Sequence, residues 1–405
     1  MDRGVDLVTP VVTPLTYEGL IDELVGIQNS QVKLDAELVE TGDGDPGEEK
    51  KGGGGEAKAA PAAARPSKVP LPLNSNNELY KDIRDRNVSA LGNILQSRTK
   101  SIQSAYDDFR SNKTASTAEM HAFIKQIPEL KALYKSLHQH INVAAMIKKT
   151  TDSNAFRKRW HMERGMLEGE MHMEEIEEQI YSEEPAVEVL KLLCLQSLCA
   201  GGIRAKHFDS LRRDFLQTYG YEYMLVLAAL ERIGMLKRKD VFLDTGSSLW
   251  TTIRRAFGLI NDDQDVMNPR DMTYVTSGYA PLSARLVQYA VKPGWTECQD
   301  ALERVPGPTV QLRQSTSPTE LETCMAHFRA GEERSRRPPR PVNGKKPVLM
   351  VFYIGGVTFM EIAALRHLSR SPGFPYSILI VTTKVLNGKT MLASMESGGA
   401  GAGAA

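Results

Sequence analysis

Two adjacent glycines, Gly355 and Gly356, stand between an apolar run and a helical pattern in Val348–Ser369, VLMVFYIGGVTFMEIAALRHLS. Glycines at such a junction could cradle a phosphate, because the free N–H groups of a helix N-terminus attract anions. A P-loop would add Lys-Ser/Thr after its glycines, and a dinucleotide fold a third glycine; the sequence here continues GGVTFME. The pair therefore reads as a tight turn that lets a helix pack closely on a strand. Asp2, Arg3 and Asp6 place opposite charges beside the apolar Leu7-Val8, and read as a buried or half-buried carboxylate–arginine pair that fixes the chain there. No nucleophile, base and oxyanion-donor constellation accompanies them, so no catalytic residue is assigned and the chain reads as non-enzymatic.

Metal chemistry has equally little support. Cys194, Cys199, Cys298 and Cys324 form no CxxC pair. Cys324 and His327 are three apart but lack a second ligand pair at zinc spacing, so neither a metal nor a cofactor is expected. His121, His138, His140, His161 and His172 scatter over helical surfaces, and His138 and His140, two apart, face different sides of a helix. The cysteines read as reduced thiols of an intracellular protein. Fifty basic and fifty acidic side chains cancel, giving no global field toward nucleic acid. No run of eighteen apolar residues could span a membrane, and the N-terminus has no secretory h-region.

The elements that hold these residues follow from periodicity. The apolar run into Gly355-Gly356, the helix after it and YSILIVTT (376–383) make one βαβ unit. Runs this apolar imply parallel strands covered on both faces, so further sheet partners are expected elsewhere. Residues 74–313 read as mostly helical. One helix begins at Asn77-Glu78, a second at Ala118, and a third at Pro128, where a missing N–H costs little. Leu130, Leu133, Leu137, Ile141, Ala144 and Ile147 recur at steps of three and four as an inward seam. The expected hairpin 118–149 then keeps an outer surface for a foreign helix, and Arg157, Lys158, Arg159 and Trp160 follow as a basic-aromatic cluster suited to an acidic helix. Met162, Met166, Met171 and Met173 read as core filling or a partner groove. The carboxylates of Tyr17–Glu23 read as a solvated face. Residues 35–73, 314–346 and 395–405 are too poor in large apolar groups to order themselves.

The segment MDRGVDLVTPVVTPLTYEGLIDELVGIQNSQVKL resembles a signature of the Sec/Munc (SM) family of SNARE regulators, and VFYIGGVTFMEIAALRHLS with VTTKVLNG resembles its C-terminal signature. LCLQSLCAGG, FLQTYGYEYMLVLAALERIGML and YVTSGYAPLSARLVQ resemble the vacuolar protein sorting-associated 33 branch of that family. The resemblance implies α/β domains plus a large, mostly helical domain in an SM-protein-like arch. Here an incomplete parallel-sheet domain is split by the helical one. Residues 1–34 would end the first half of the second α/β domain, 74–313 form the helical third domain, and 347–394 return as its C-terminal βαβ half, with the N-terminal domain missing.

Through the resemblance, the hairpin 118–149 becomes the element on which SNARE helices are aligned, and Gln126, Glu129, Lys131, Tyr134, Lys135, His138 and Lys148 its contacts off the inward seam. Arg212, Tyr221 and Met224 would dock a subunit of the vacuolar protein sorting-associated protein 16 type. Tyr221 and Met224 share one helical face, although both could instead be core. Asp2, Arg3, Asp6, Gly355 and Gly356 keep structural roles. The implied function is SNARE assembly, docking and fusion within a HOPS- or CORVET-type tether. It would act in the cytoplasm, peripherally on late endosome, vacuole or lysosome, without nucleic acid or membrane insertion. The competing readings are an SM protein of a Golgi or early endosomal step and a nucleotide-binding α/β protein using the glycine loop.

Overall fold

Thr16 ends an extended stretch and its side chain accepts the Gly19 N–H, which starts the first helix, α1 (Tyr17–Leu24). In the computed structural model the described residues are 1–39, 68–111, 117–239, 249–263, 265–292, 294, 298–305 and 346–401. They fall into two compact units, one of residues 15–157 and one of 1–14 with 158–405.

In the unit of residues 15–157, every residue of α1 from Tyr17 to Glu23 is buried. This corrects the solvated face expected of its carboxylates. The Glu18 carboxylate accepts the Tyr80 hydroxyl at 2.6 Å, and Asp22 accepts the Ile27 N–H at 2.9 Å, so each lost hydration contact is replaced. Strand β1 (Gln31–Asp35) runs into the short α2 (Ala36–Val39) and pairs antiparallel with β2 (Lys68–Pro72), Val32 opposite Leu71. Both ends of the segment expected to be unordered, 35–73, are thus built into structure by pairing that no local composition reveals. Its middle lies outside the described residues. Asn77 caps α3 (Glu78–Ile83), and the long helices α4 (Val88–Ser111) and α5 (Thr117–Thr151) follow.

The expected hairpin within 118–149 is corrected by α5, which is one helix with Pro128 inside it. The two long helices that pack together in this unit are α4 and α5, and the start of α4 lies beside the end of α5. The inward seam is corrected too. Leu137, His140, Val143 and Ile147 are buried, whereas Ile141 is 37% exposed. Gln139 and Asn142 donate to the Val39 and Leu38 carbonyls at 3.0 and 3.1 Å and tie α2 onto α5.

The other unit contains α6 (Asn154–Glu168) from Lys158 onward, α7 (Met173–Tyr181) and α8 (Ala186–Ala200). Helix α8 is buried from Val189 through Ser197 and forms the centre of the core. Beyond it come β3 (Ile203–Arg204), α9 (Ala205–Tyr219), α10 (Tyr223–Arg232), β4 (Arg238–Lys239), α11 (Leu249–Ala256), α12 (Leu282–Val291) and α13 (Gln299–Leu302). The C-terminal part is β5 (Val348–Tyr353), α14 (Phe359–Arg370), β6 (Ser377–Thr382) and α15 (Gly388–Gly401), which extends into the expected low-complexity tail. Residues 314–345 lie outside the described ones. The helices from 158 to 305 belong to the same unit as this βαβ element rather than to that of the α4–α5 pair, and Leu286 and Val287 of α12 face β5 there.

Strands β5 and β6 pair in parallel, Met350 opposite Leu379. On β5, Val351 and Tyr353 are buried, while Val348, Met350 and Phe352 are exposed on the other face. At its free edge the backbone of Met1–Arg3 adds ladder bonds: Ile354 N–H to the Met1 carbonyl and Arg3 N–H to the Ile354 carbonyl, both 2.9 Å. The strand-like contact is thus made by Met1–Arg3. The segment Leu7–Thr9 leads instead into a tight helical turn, Thr9–Val11.

Candidate functional site

Charge buried in the second of these units explains the N-terminal and glycine motifs together. The Arg3 guanidinium donates to Glu361 Oε2 at 2.8 Å and, through Nε, to the Asp6 carbonyl at 2.9 Å. Asp6 in turn accepts the Thr9 hydroxyl at 2.6 Å and the Ser283 N–H at 3.2 Å. The Ser283 hydroxyl donates to the other Glu361 oxygen, and the Tyr353 hydroxyl reaches Ser283 at 3.4 Å. Burial pushes the Asp6 carboxyl up despite the neighbouring Arg3. Burial alone would lower the Arg3 pKa, but Glu361 and Asp6 hold it above the usual arginine range.

Gly355 and Gly356 adopt positive φ, +90° and +111°, as a turn into α14 requires. A Cβ on Gly355 would stand 2.8 Å from Arg3 Cβ, and one on Gly356 2.2 Å from Leu386 Cδ2. Three of the amides ahead of α14 are engaged: Gly355 N–H by Thr383 Oγ1, Val357 N–H by the Lys384 carbonyl, Thr358 N–H by Glu361. Thr358 and Glu361 form a capping box, which sets a carboxylate where a phosphate would have to approach. The loop is built for close packing. Asp2 is exposed and caps the turn at Gly4. The sequence reading missed Glu361, Ser283 and Tyr353 because they are separated from Arg3 by hundreds of residues.

The outer face of α5 is the larger candidate surface. Glu129, Lys131, Tyr134, Lys135, His138 and Lys148 are all exposed; the side chain of Gln126, like that of His121, lies outside the described residues. Tyr134, His138, Ile141, Ala145 and Lys148 succeed one another at steps of four, three, four and three, the spacing of one helical stripe. Ile141 and Ala145, which the sequence reading did not assign, form its apolar centre. Ile141, Ala145 and Lys148 also line a groove of about 640 Å³ whose other wall is Leu91, Leu95 and Thr99 of α4. Long, open and flanked by cations, this surface can accept an amphipathic helix laid along α5.

Behind the stripe, the expectation of a surface position for His140 is corrected: it is 1% exposed. Its Nδ1 lies 2.9 Å from the Tyr17 hydroxyl, and its ring stacks on Tyr80 at 5.8 Å. Burial lowers its pKa to about 4. The folded ring therefore resists a proton that the unfolded chain takes up below about 6.5. Stability from this site is complete above that pH and is lost as pH falls toward 4, about 3 kcal/mol at most. His140→Gln should flatten that part of a denaturant–pH profile.

Arg212 is partly exposed and pairs with Glu231 at 3.4 Å. Tyr221 and Met224 are exposed rather than core, at 68% and 43%, and Leu225 beside them is 65% exposed. The basic-aromatic cluster is corrected from a free acidic-helix receptor: Arg157 pairs with Asp152, Lys158 with Glu178 and Arg159 with Glu184. Met162, Met166 and Met173 fill the core, and Met171 is exposed. Among the described residues no cluster of His, Cys, Asp and Glu could hold a metal ion, and no helix is long and apolar enough to cross a membrane.

The chain belongs to the Sec1 family, whose sequence profile matches residues 1–394. Within the family it is similar to vacuolar protein sorting-associated protein 33A of Rattus norvegicus, 40% identical over 98% of this chain and 61% of the relative. It is 34% identical to the vacuolar protein-sorting-associated protein 33 homolog of Arabidopsis thaliana, over 97% of this chain and 60% of that one. The chain thus spans about three-fifths of the length of these relatives. The fold is similar to one in the crystal structure of the Unc18–syntaxin 1 complex from Monosiga brevicollis, with TM-score 0.57, 16% identity, and coverage of 98% of this chain and 60% of that chain.

Proposed function

We propose that this chain works as a non-enzymatic, SNARE-binding member of a HOPS- or CORVET-type tether, promoting docking and fusion at vacuole, lysosome or late endosome membranes. The observation that carries the reading is the outer stripe of α5, an exposed helical face with an apolar centre, Ile141 and Ala145, beside a groove. It is supported by family membership and by the relatives' vacuolar sorting names. SNARE zippering joins helices along apolar seams, and a preformed face that holds one helix in register removes part of the ordering cost. Lys131 and Lys135 flank the stripe and Lys148 ends it, and together they favour an acidic helix flank. Reversing all three to Glu should weaken binding of a SNARE helix by about tenfold or more while the melting curve stays in place. Unchanged affinity in a fluorescence anisotropy titration contradicts the reading.

Tether docking falls to the exposed patch of Tyr221, in the turn ahead of α10, with Met224 and Leu225 in its first turn, an aromatic with two apolar neighbours of the kind that anchors interfaces. Tyr221→Asp with Leu225→Asp should abolish co-purification of the vacuolar protein sorting-associated protein 16-type subunit and leave SNARE binding intact. Retained co-purification removes this patch from the account.

A further inference from the structure

Although the chain as a whole is neutral, its cations are not evenly spread. The two-residue strands β3 and β4 pair in parallel, with Ile203 beside Arg238 and Arg204 beside Lys239. Gly202 makes the approach possible: at φ +122° its missing Cβ leaves room for Lys239 Cβ, 3.1 Å from where a side chain would begin. Ile203 N–H donates to the Lys237 carbonyl at 2.8 Å, and Lys237 N–H donates to Ser197 Oγ at 2.8 Å, so the ladder is fixed to the core helix α8. This brings Arg204, Lys206, Lys237, Arg238 and Lys239 to one corner. All are exposed except Lys239, which is half-buried. Asp209 pairs with Arg238 at 3.3 Å.

Helix α9 opens at this corner without a side-chain cap and without an acidic residue in its first turn, so its dipole adds to the positive field. The exposed Ile233, with Arg232 before it, stands at the end of α10 just ahead of the turn to β4. We propose that the β3–β4 corner is a docking surface for anionic phospholipid headgroups. The charges favour a lipid surface over a folded acidic partner. Lys206 and Lys237 are exposed point charges on flexible stems, suited to mobile headgroups rather than to the fixed geometry of a carboxylate pair. Juxtaposed cations of this kind each add attraction to an anionic leaflet, and an exposed apolar side chain among them can enter the interface. The surface uses residues separate from both the α5 stripe and the α10 patch, so it goes beyond the proposed function.

The test is co-sedimentation of the full chain with phosphatidylcholine vesicles, with or without about 30% phosphatidylserine. Binding should require the anionic lipid and fall steeply as salt rises from about 0.1 to about 0.5 M. Lys206→Glu, Lys237→Glu and Lys239→Glu together should lower it about tenfold or more, and the three Lys→Gln changes by a smaller factor. Lys33→Glu, Lys81→Glu and Lys100→Glu change the net charge equally and should leave binding within about twofold of the parent. The proposal is overturned if the corner variants bind as the parent does, if the control reversals lower binding as much, or if neutral and anionic vesicles bind alike. Capture of poly-glutamate without vesicle binding also overturns it and assigns the corner to an acidic protein segment. Equal melting midpoints of all variants establish that the fold is not what changed.

Discussion

Glu361→Ala is expected to destabilise its unit by about 3–5 kcal/mol, because it leaves the Arg3 guanidinium buried with its main counter-ion gone. Both partners are nearly inaccessible, with side chains 9% and 0% exposed, so water cannot replace the lost contacts. Ser283 and Thr358 would lose their acceptor in the same step. Arg3→Met alone should cost a similar amount, since Glu361 and Asp6 would then share a buried site without a cation. Arg3→Met with Glu361→Met should recover part of the loss, as volume is kept and Asp6, still held by Thr9 and Ser283, is then the one carboxyl of the trio left without its cation. Urea unfolding of the singles and the double checks this. Two additive single effects would show that the pair does not act as a unit.

Filling the α4–α5 groove should separate binding from stability. Gly92 lies in α4 on the groove wall, and a Cβ built there meets nothing within 4 Å. Gly92→Leu therefore fits, and replacing a mid-helix glycine by leucine should raise the stability of this unit by up to about 1 kcal/mol. The same side chain occupies the space beside Ile141 and Ala145 that a docked helix would need. SNARE-helix affinity is expected to fall about tenfold or more in a protein that melts no lower than the parent, an outcome that loss of fold cannot mimic. Ile141→Asp should act in the same direction. A Gly92→Leu protein with full affinity would mean that the groove is not used.

Sequence reached furthest where one motif carried both the local geometry and its cause. The turn at Gly355-Gly356 is legible because a strand, two glycines and the start of a helix have few alternatives, and Arg3 packed on Gly355 is its physical reason. The Arg3–Asp6 pair is legible because its members are three residues apart. Glu361 is invisible from there, since a partner 358 residues away has no local signal. Steps of three and four misplaced Ile141 because α5 has two apolar stripes, and Leu137 can be continued either to Ile141 or to His140 and Val143. Burial of Glu18, Asp22 and Glu23 was missed for the reverse reason: a helix buried on all sides has no polar face to read. At the start of α10 the sequence left Tyr221 and Met224 open between core and surface and put them on one helical face; packing puts both outside, and Tyr221 lies in the turn before the helix. The β5–β6 runs are apolar on both faces, as read, yet only one face is covered here.

The central claim is that a SNARE helix lies along the outer stripe of α5. A photo-crosslinker placed in turn at each position from Glu129 to Lys149, in the presence of a purified SNARE helix, tests it directly. The account predicts crosslinking maxima at Tyr134, His138, Ile141, Ala145 and Lys148, with minima at the buried Leu137, Val143 and Ile147. A flat profile along α5, or none at all while the helix still binds, would contradict it.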